Sequence, residues 1–143
     1  GASVPVVPVV TLLAMAERAR VSAGEDEVLA VLDARMGEVY WAQYRFDRGW
    51  QVLIEPNLSA ASQVTPLGTP AVCGNGLRAY TKSLPHLQSL RHVEDITPHA
   101  SDIAALAAIE FAKGNALPAR DAQPVYLRNK VALTTQERLG AAA

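Results

Sequence analysis

The chain has 143 residues, half of them hydrophobic and 19% charged, with a net charge of −1. That is one globular domain with room for a core, and it carries no overall basic field that would draw it to nucleic acid or membrane. One cysteine, Cys73, rules out an internal disulfide and makes a reducing compartment, the cytoplasm, the default.

The opening GASVPVVPVVTLLAMA is apolar, but it has no positively charged lead. Pro5 and Pro8 interrupt it, and Glu17 to Arg20 follow, so it reads as a strand entering a helix, not a signal peptide. No apolar run reaches the roughly 18 residues of a membrane span. The absence of an initiator Met fits a fragment or a processed product.

Val6 to Val10 reads as a short strand and Thr11 as the N-cap of a helix to about Ala23, closed by Gly24. Leu12, Met15, Ala16 and Ala19 make its apolar stripe, with Glu17, Arg18 and Arg20 facing out. Val28 to Leu32 is continuously apolar, as expected of a strand covered on both faces. A four-residue turn, Ala34 to Gly37, leads to a strand over Glu38 to Phe46. Asp47-Arg48-Gly49 is a hairpin loop, and the return strand Trp50 to Glu55 ends at Pro56. Ser59 to Val64 reads as a short helix and Pro70 to Cys73 as a strand. Gly74-Asn75-Gly76 turns into a helix from Leu77 to about Leu84, and Leu90 to Val93 is a further strand. Ser101 caps a helix from Asp102 to Lys113, ended by Gly114-Asn115. Beyond Pro118 the chain is mostly extended. Thr134 to Glu137 has capping-box spacing, and the end beyond Leu139 is a mobile Ala/Gly tail. A strand meander followed by alternating helices and strands is an α/β domain with a mixed sheet.

Several groups could carry chemistry. Asp33, Arg35 and Glu38 sit where a fold exposes functional side chains, and they could orient a partner or nucleotide. The plainer reading is that Asp33 caps the turn and Arg35 pairs with a nearby acid. The aromatics Tyr40, Trp41, Tyr44, Phe46 and Trp50 lack the interleaved basic residues of a nucleic-acid platform, and packing explains them better. Gly74, Asn75 and Gly76 could bring backbone N–H groups near a nucleotide, but a tight turn explains a lone G-x-G better. Cys73 inside an apolar strand reads as inert. His86, His92 and His99 have no metal-ligand spacing and read as surface residues. Asp95 and Asp102 raise a metal-dependent nuclease on a ribonuclease H-like lobe. That alternative wants an acid in the first strand of the sheet, which Val6 to Val10 lacks. The macrodipole alone accounts for Asp102 in the first turn of its helix. In Pro124 to Lys130, Tyr126 and Arg128 either face out beside packed Val125 and Leu127 or are presented to a partner.

Two of these stretches, VLAVLDARMGEVYWAQY at Val28 to Tyr44 and QPVYLRN at Gln123 to Asn129, resemble the TsaB (YeaZ) family of the machinery that makes threonylcarbamoyladenosine in tRNA. The resemblance implies a ribonuclease H-like, actin-like lobe. It implies a C-terminal lobe over residues 1–118, with 1–24 as lead-in strand and helix, and an extended tail over 119–143. It implies a non-catalytic scaffold or activator, with no peptidase site, that works with a TsaD-like catalytic subunit and a TsaE-like ATPase. The complex acts on adenosine 37 of tRNAs reading ANN codons. A homodimer, tRNA contact only through the complex, and no membrane are the further expectations. No cofactor is expected on this lobe alone, with ATP or ADP and Mg belonging to the whole complex. The expected partner contacts are Asp33, Arg35, Glu38, Tyr126 and Arg128. Gly74, Asn75 and Gly76 form the expected nucleotide-proximal turn.

Overall fold

A computed structural model describes residues 4–128. The Thr134 to Glu137 helix and the tail beyond Leu139 lie outside them. The elements are β1 (Pro5–Val6), α1 (Thr11–Ala23), β2 (Glu27–Arg35), β3 (Glu38–Phe46), β4 (Trp50–Ala60), β5 (Ala71–Cys73), α2 (Gly76–Ala79), β6 (His92–Val93), α3 (Ala100–Ala112) and β7 (Leu117–Pro118).

Five strands form one mixed sheet in the order β4-β3-β2-β5-β6. Strand β2 is central, antiparallel to β3 and parallel to β5, which is parallel to β6. The continuous run Val28 to Leu32 follows from that position. Val28 and Ala30 pack with Leu12, Met15, Ala16 and Ala19 of α1. Leu29 and Val31, pointing the other way, pack with Val39, Trp41, Val64, Leu77, Leu84 and Leu87. Alternation along β3 places Tyr40 and Tyr44 with α1 and Trp41 on the opposite layer.

The first strand is not where the sequence reading placed it. Only Pro5–Val6 is paired as a strand in that segment, and it pairs with β7 in a separate two-stranded ladder. Pro5 and Pro8 lack ladder donors, which suits a short edge pairing of this kind. Helix α1 has the expected bounds, and Gly24 closes it at φ 72° with its N–H on the Arg20 carbonyl. Its N-cap is Val10 without a side-chain bond, so Thr11 is the first helical residue and not the cap. Glu17 is buried, which corrects its outward assignment. It accepts bonds from Trp50 Nε1 at 2.8 Å and from Arg20 at 2.8 and 3.0 Å. Arg20 in turn lies 4.2 Å over the Phe46 ring. Trp50 meets Phe46 and Tyr44 edge to face, so these aromatics are a packing cluster.

Pro56 does not end β4, which runs on to Ala60. Strand β4 is an edge strand whose register slips twice against β3, and a proline is tolerated at such a bulged edge. Ser59 and Ala60 therefore belong to the strand, and only Ala61–Gln63 makes a helical turn. The expected helix from Leu77 breaks after one turn at Ala79 and resumes as a turn at Thr81–Ser83. Helix α3 starts at Ala100 with His99 as an N-cap that makes no side-chain bond, so Ser101 is not the cap. Asp102 is buried and bonded by Arg18 Nε at 2.9 Å. Its place is thus set by an ion pair between α1 and α3, not by the macrodipole alone.

Candidate functional site

The site grows from the β2–β3 hairpin. The two-residue loop is Met36–Gly37, with φ 57° and 79°, flanked by the Arg35–Glu38 pair. Two successive positive φ angles match the right-handed twist of a hairpin. The loop is shorter than the expected four residues because β2 continues through Arg35. Arg35 is itself left-handed, at φ 66°, next to a register slip after Asp33. Two non-glycine residues in this region store about 1 kcal/mol each.

Asp33 compensates for that strain. Its Oδ1 accepts the Arg35 N–H at 2.7 Å, and its Oδ2 lies 3.2 Å from the Arg35 guanidinium. The Arg35 N–H, then the Tyr80 hydroxyl donating at 2.8 Å, hold the Asp33 carboxyl below the usual aspartate range. Donating to Asp33 raises the Tyr80 phenol above its ordinary value. Asp33 is thus the turn-former that the plainer reading described.

The turn at Gly74 to Gly76 reaches the same place. Asn75 Oδ1 accepts the Asp33 N–H at 2.9 Å. Gly74 is at φ 106°, and a Cβ there would lie 2.2 Å from the Val31 carbonyl oxygen. A Cβ on Gly76 would lie 2.8 Å from Val31 Cγ1. Both glycines therefore let the turn press against β2. A cleft of about 540 Å³ opens beside this turn, bordered by Arg78, His92, Asp95 and Thr97.

The tail closes the other side of the hairpin. Arg128 donates to the Ala34 carbonyl at 2.9 Å and pairs with Glu38 at 2.7 Å. The Tyr40 hydroxyl and the Glu38 carboxylate raise its pKa. Its side chain is only 15% exposed, so Arg128 is not presented to solvent as expected. Val125 is 70% exposed and does not pack on the domain, and Tyr126 is 76% exposed. Between the tail, the Pro8–Leu12 segment, Leu32, Tyr40 and Pro56 lies a groove of about 710 Å³. Met36, 79% exposed, sits at the hairpin tip with its sulfur 3.9 Å from the Arg128 guanidinium.

Asp33, Arg35, Glu38, Asn75 and Arg128 are thus gathered at one end of the sheet. Tyr80 and the Ala34 carbonyl are members that sequence reasoning missed. Nothing local signals a contact between residues 47 or 94 positions apart.

Elsewhere, Cys73 is fully buried, and burial pushes its thiol up to about 12, so it is no nucleophile at neutral pH. His86 and His92 bond the backbone carbonyls of Val64 and Leu87. The argument that the first sheet strand lacks an acid fails, because that strand is β2 and ends near Asp33. What counts against a two-metal centre is that the Asp33 oxygens are engaged by Arg35 and Tyr80. Among the described residues no three His, Cys, Asp or Glu side chains group as metal ligands.

The chain as a whole is similar to known proteins. Residues 1–82 match the family described as TsaD, tRNA N6-adenosine threonylcarbamoyltransferase. The chain is 36% identical over 144 positions to the Escherichia coli (strain K12) tRNA threonylcarbamoyladenosine biosynthesis protein TsaB, covering 92% of this chain and 61% of that protein. It is 31% identical over 143 positions to the Haemophilus influenzae TsaB, covering 92% and 60%. The solved structure of YeaZ from Pseudomonas aeruginosa superposes with a TM-score of 0.77 at 31% identity, over 85% of this chain and 60% of that one. The chain therefore spans about three-fifths of the length of these relatives. The mixed sheet and its helices are an actin-like, ribonuclease H-like lobe. With this fold and these matches, the chain belongs to the TsaB (YeaZ) family.

Proposed function

We propose that this chain is the C-terminal lobe of a scaffold subunit in the complex that forms threonylcarbamoyladenosine at position 37 of tRNAs reading ANN codons. It works beside a TsaD-like catalytic subunit and a TsaE-like ATPase, and it is not itself the transferase. The observation that carries this reading is the locked hairpin. Arg128 ties PVYLR to DARMGEVYW, the two stretches that mark the family, and leaves Met36, Val125 and Tyr126 exposed around the knot. Exposed aromatic and thioether side chains suit a protein contact. The Asp33 and Glu38 carboxylates are already bonded within the knot, which supports a structural use of this end. ATP or ADP and Mg belong to the whole complex in this reading.

The test is threonine incorporation into tRNA by a reconstituted mixture lacking only its TsaB subunit. The chain is added back alone or preceded by the part of a full-length relative that it does not match. Rescue by the longer form and not by the chain supports the scaffold reading. Failure of both, with matched partners, removes it.

A further inference from the structure

The turn at Gly74 to Gly76 contains the one Asn-Gly pair in the chain. That pairing has a chemistry of its own. The backbone nitrogen of the next residue can attack an asparagine carboxamide, and a glycine there has no side chain to shield its nitrogen. Asn57, Asn115 and Asn129 are followed by Leu58, Ala116 and Lys130. Asn57 and Asn115 also commit their amide nitrogens, to the Trp41 and Glu55 carbonyls and to Glu110. Asn75 is exposed, and the bond it makes is on its oxygen: Oδ1 accepts the Asp33 N–H at 2.9 Å. Gly76 is the first residue of α2, where a backbone N–H has no partner within the helix. The attacking nitrogen is therefore not tied into the helical ladder.

We propose that Asn75 is a deamidation site, gated by the folded turn, whose product holds the turn open. The Gly76 nitrogen gives its proton to hydroxide and bonds to Asn75 Cγ. The Cγ–Nδ2 bond breaks, and Nδ2 leaves as ammonia with a proton from water. Water then opens the five-membered succinimide at either carbonyl. The product is aspartate, or isoaspartate with the main chain running through the side-chain carbon. One water enters and one ammonia leaves, with no oxidant or cofactor. The folded turn holds the reaction back. Asn75 has helical angles, φ −70° and ψ −18°, and its carbonyl accepts the Ala79 N–H at 3.1 Å. Ring closure needs ψ to leave the helical region, so the Ala79 bond must break and the Asp33 latch must release the side chain. Only the opened fraction reacts. Isoaspartate cannot close the turn again. It adds a carbon to a main chain with no slack, since a Cβ on Gly74 or Gly76 would already meet Val31 at 2.2 or 2.8 Å. It also puts a negative charge where Asn75 meets Asp33. The modification thus records irreversibly that this end of the sheet has opened. The inference concerns the chain's own chemistry and stands apart from the tRNA reading.

The test is peptide mapping by mass spectrometry of the 143-residue chain after incubation in mildly alkaline buffer made with heavy-oxygen water, beside a synthetic peptide of residues 70–80. Asn75 should gain the mass of an amide turned into an oxygen-labelled acid, with isoaspartate exceeding aspartate. The chain should react slower than the peptide by about tenfold or more, because only the opened turn reacts. The isoaspartate form, separated by ion exchange, should show faster hydrogen exchange at the Asp33 and Ala79 amides, the two donors that lose their acceptors. An Asn75 that stays intact while the peptide converts overturns the site, and so does faster conversion at Asn57 or Asn115. Equal rates in chain and peptide overturn the gate. Unchanged exchange at Asp33 and Ala79 in the converted form overturns the held-open product. No readout involves tRNA, so failure here leaves the tRNA reading standing, and failure of tRNA rescue leaves this one standing.

Discussion

Arg128 holds the family's two marked stretches together through two groups: the Ala34 carbonyl and the Glu38 carboxylate. A planar fork suits that arrangement and an ammonium does not. Arg128→Lys should therefore speed proteolysis of the 122–128 segment nearly as much as Arg128→Ala, while α1 and β2 keep their hydrogen exchange. Glu17 offers a pH test. Burial pushes its carboxyl up, but the bonds from Arg20 and Trp50 more than reverse this, leaving it below the ordinary glutamate range. A depressed folded-state value favours folding at neutral pH. That contribution fades as pH falls below the ordinary value of about 4.3 and through the lowered one. Melting temperature should drop over that window in the parent and less steeply in Glu17→Gln. Tyr44 is the converse case. Among the described residues its buried hydroxyl finds no partner, and burial raises its phenol pKa. Tyr44→Phe should be neutral or stabilise by up to about 1 kcal/mol in urea denaturation.

At the scale of elements, the glycine turn and the loop before β5 hold the sheet's two halves. Gly74→Ala places a methyl against the Val31 carbonyl at a positive φ and should cost about 2–4 kcal/mol. Gly24→Ala, at φ 72° with nothing within 4 Å, should cost only about 1 kcal/mol, so the pair separates crowding from backbone strain in one denaturation series. Gln43 is fully buried in β3 and exchanges bonds with the Leu67 N–H and carbonyl, each at 2.8 Å. Its loss would strand that loop's polar groups. The helix boundaries were legible because Gly24 and Gly114 adopt left-handed conformations at or just past the helix ends. The Ser59 to Val64 helix and the Leu77 to Leu84 helix were misread for a shared reason. Ser59 Oγ accepts from Trp41 Nε1, and Leu84 is fully buried with Leu87 against Leu29 and Val31, so tertiary partners outweigh the weak local preferences.

Across the whole molecule, two layers share one sheet. The hairpin knot is completed inside this lobe by bonds the chain makes to itself.

The sequence by itself determined the α/β class, the central strand, the meander, the two main helices and the family. Hydrophobic period, turn glycines and two distinctive stretches are local signals that survive without coordinates. It also marked Asp33, Arg35, Glu38, Tyr126 and Arg128 as partner contacts and Asn75 in a separate turn. Only the tertiary structure decided that all of these but Tyr126 form one knot, that Arg128 faces inward, that Glu17 and Asp102 are buried pairs and that the first sheet strand is β2. Apart from the local Glu17–Arg20 pair, those facts join residues distant in sequence, as Trp50 on Glu17 does. Their energy comes from shared burial and from hydrogen bonds whose partners no local pattern names.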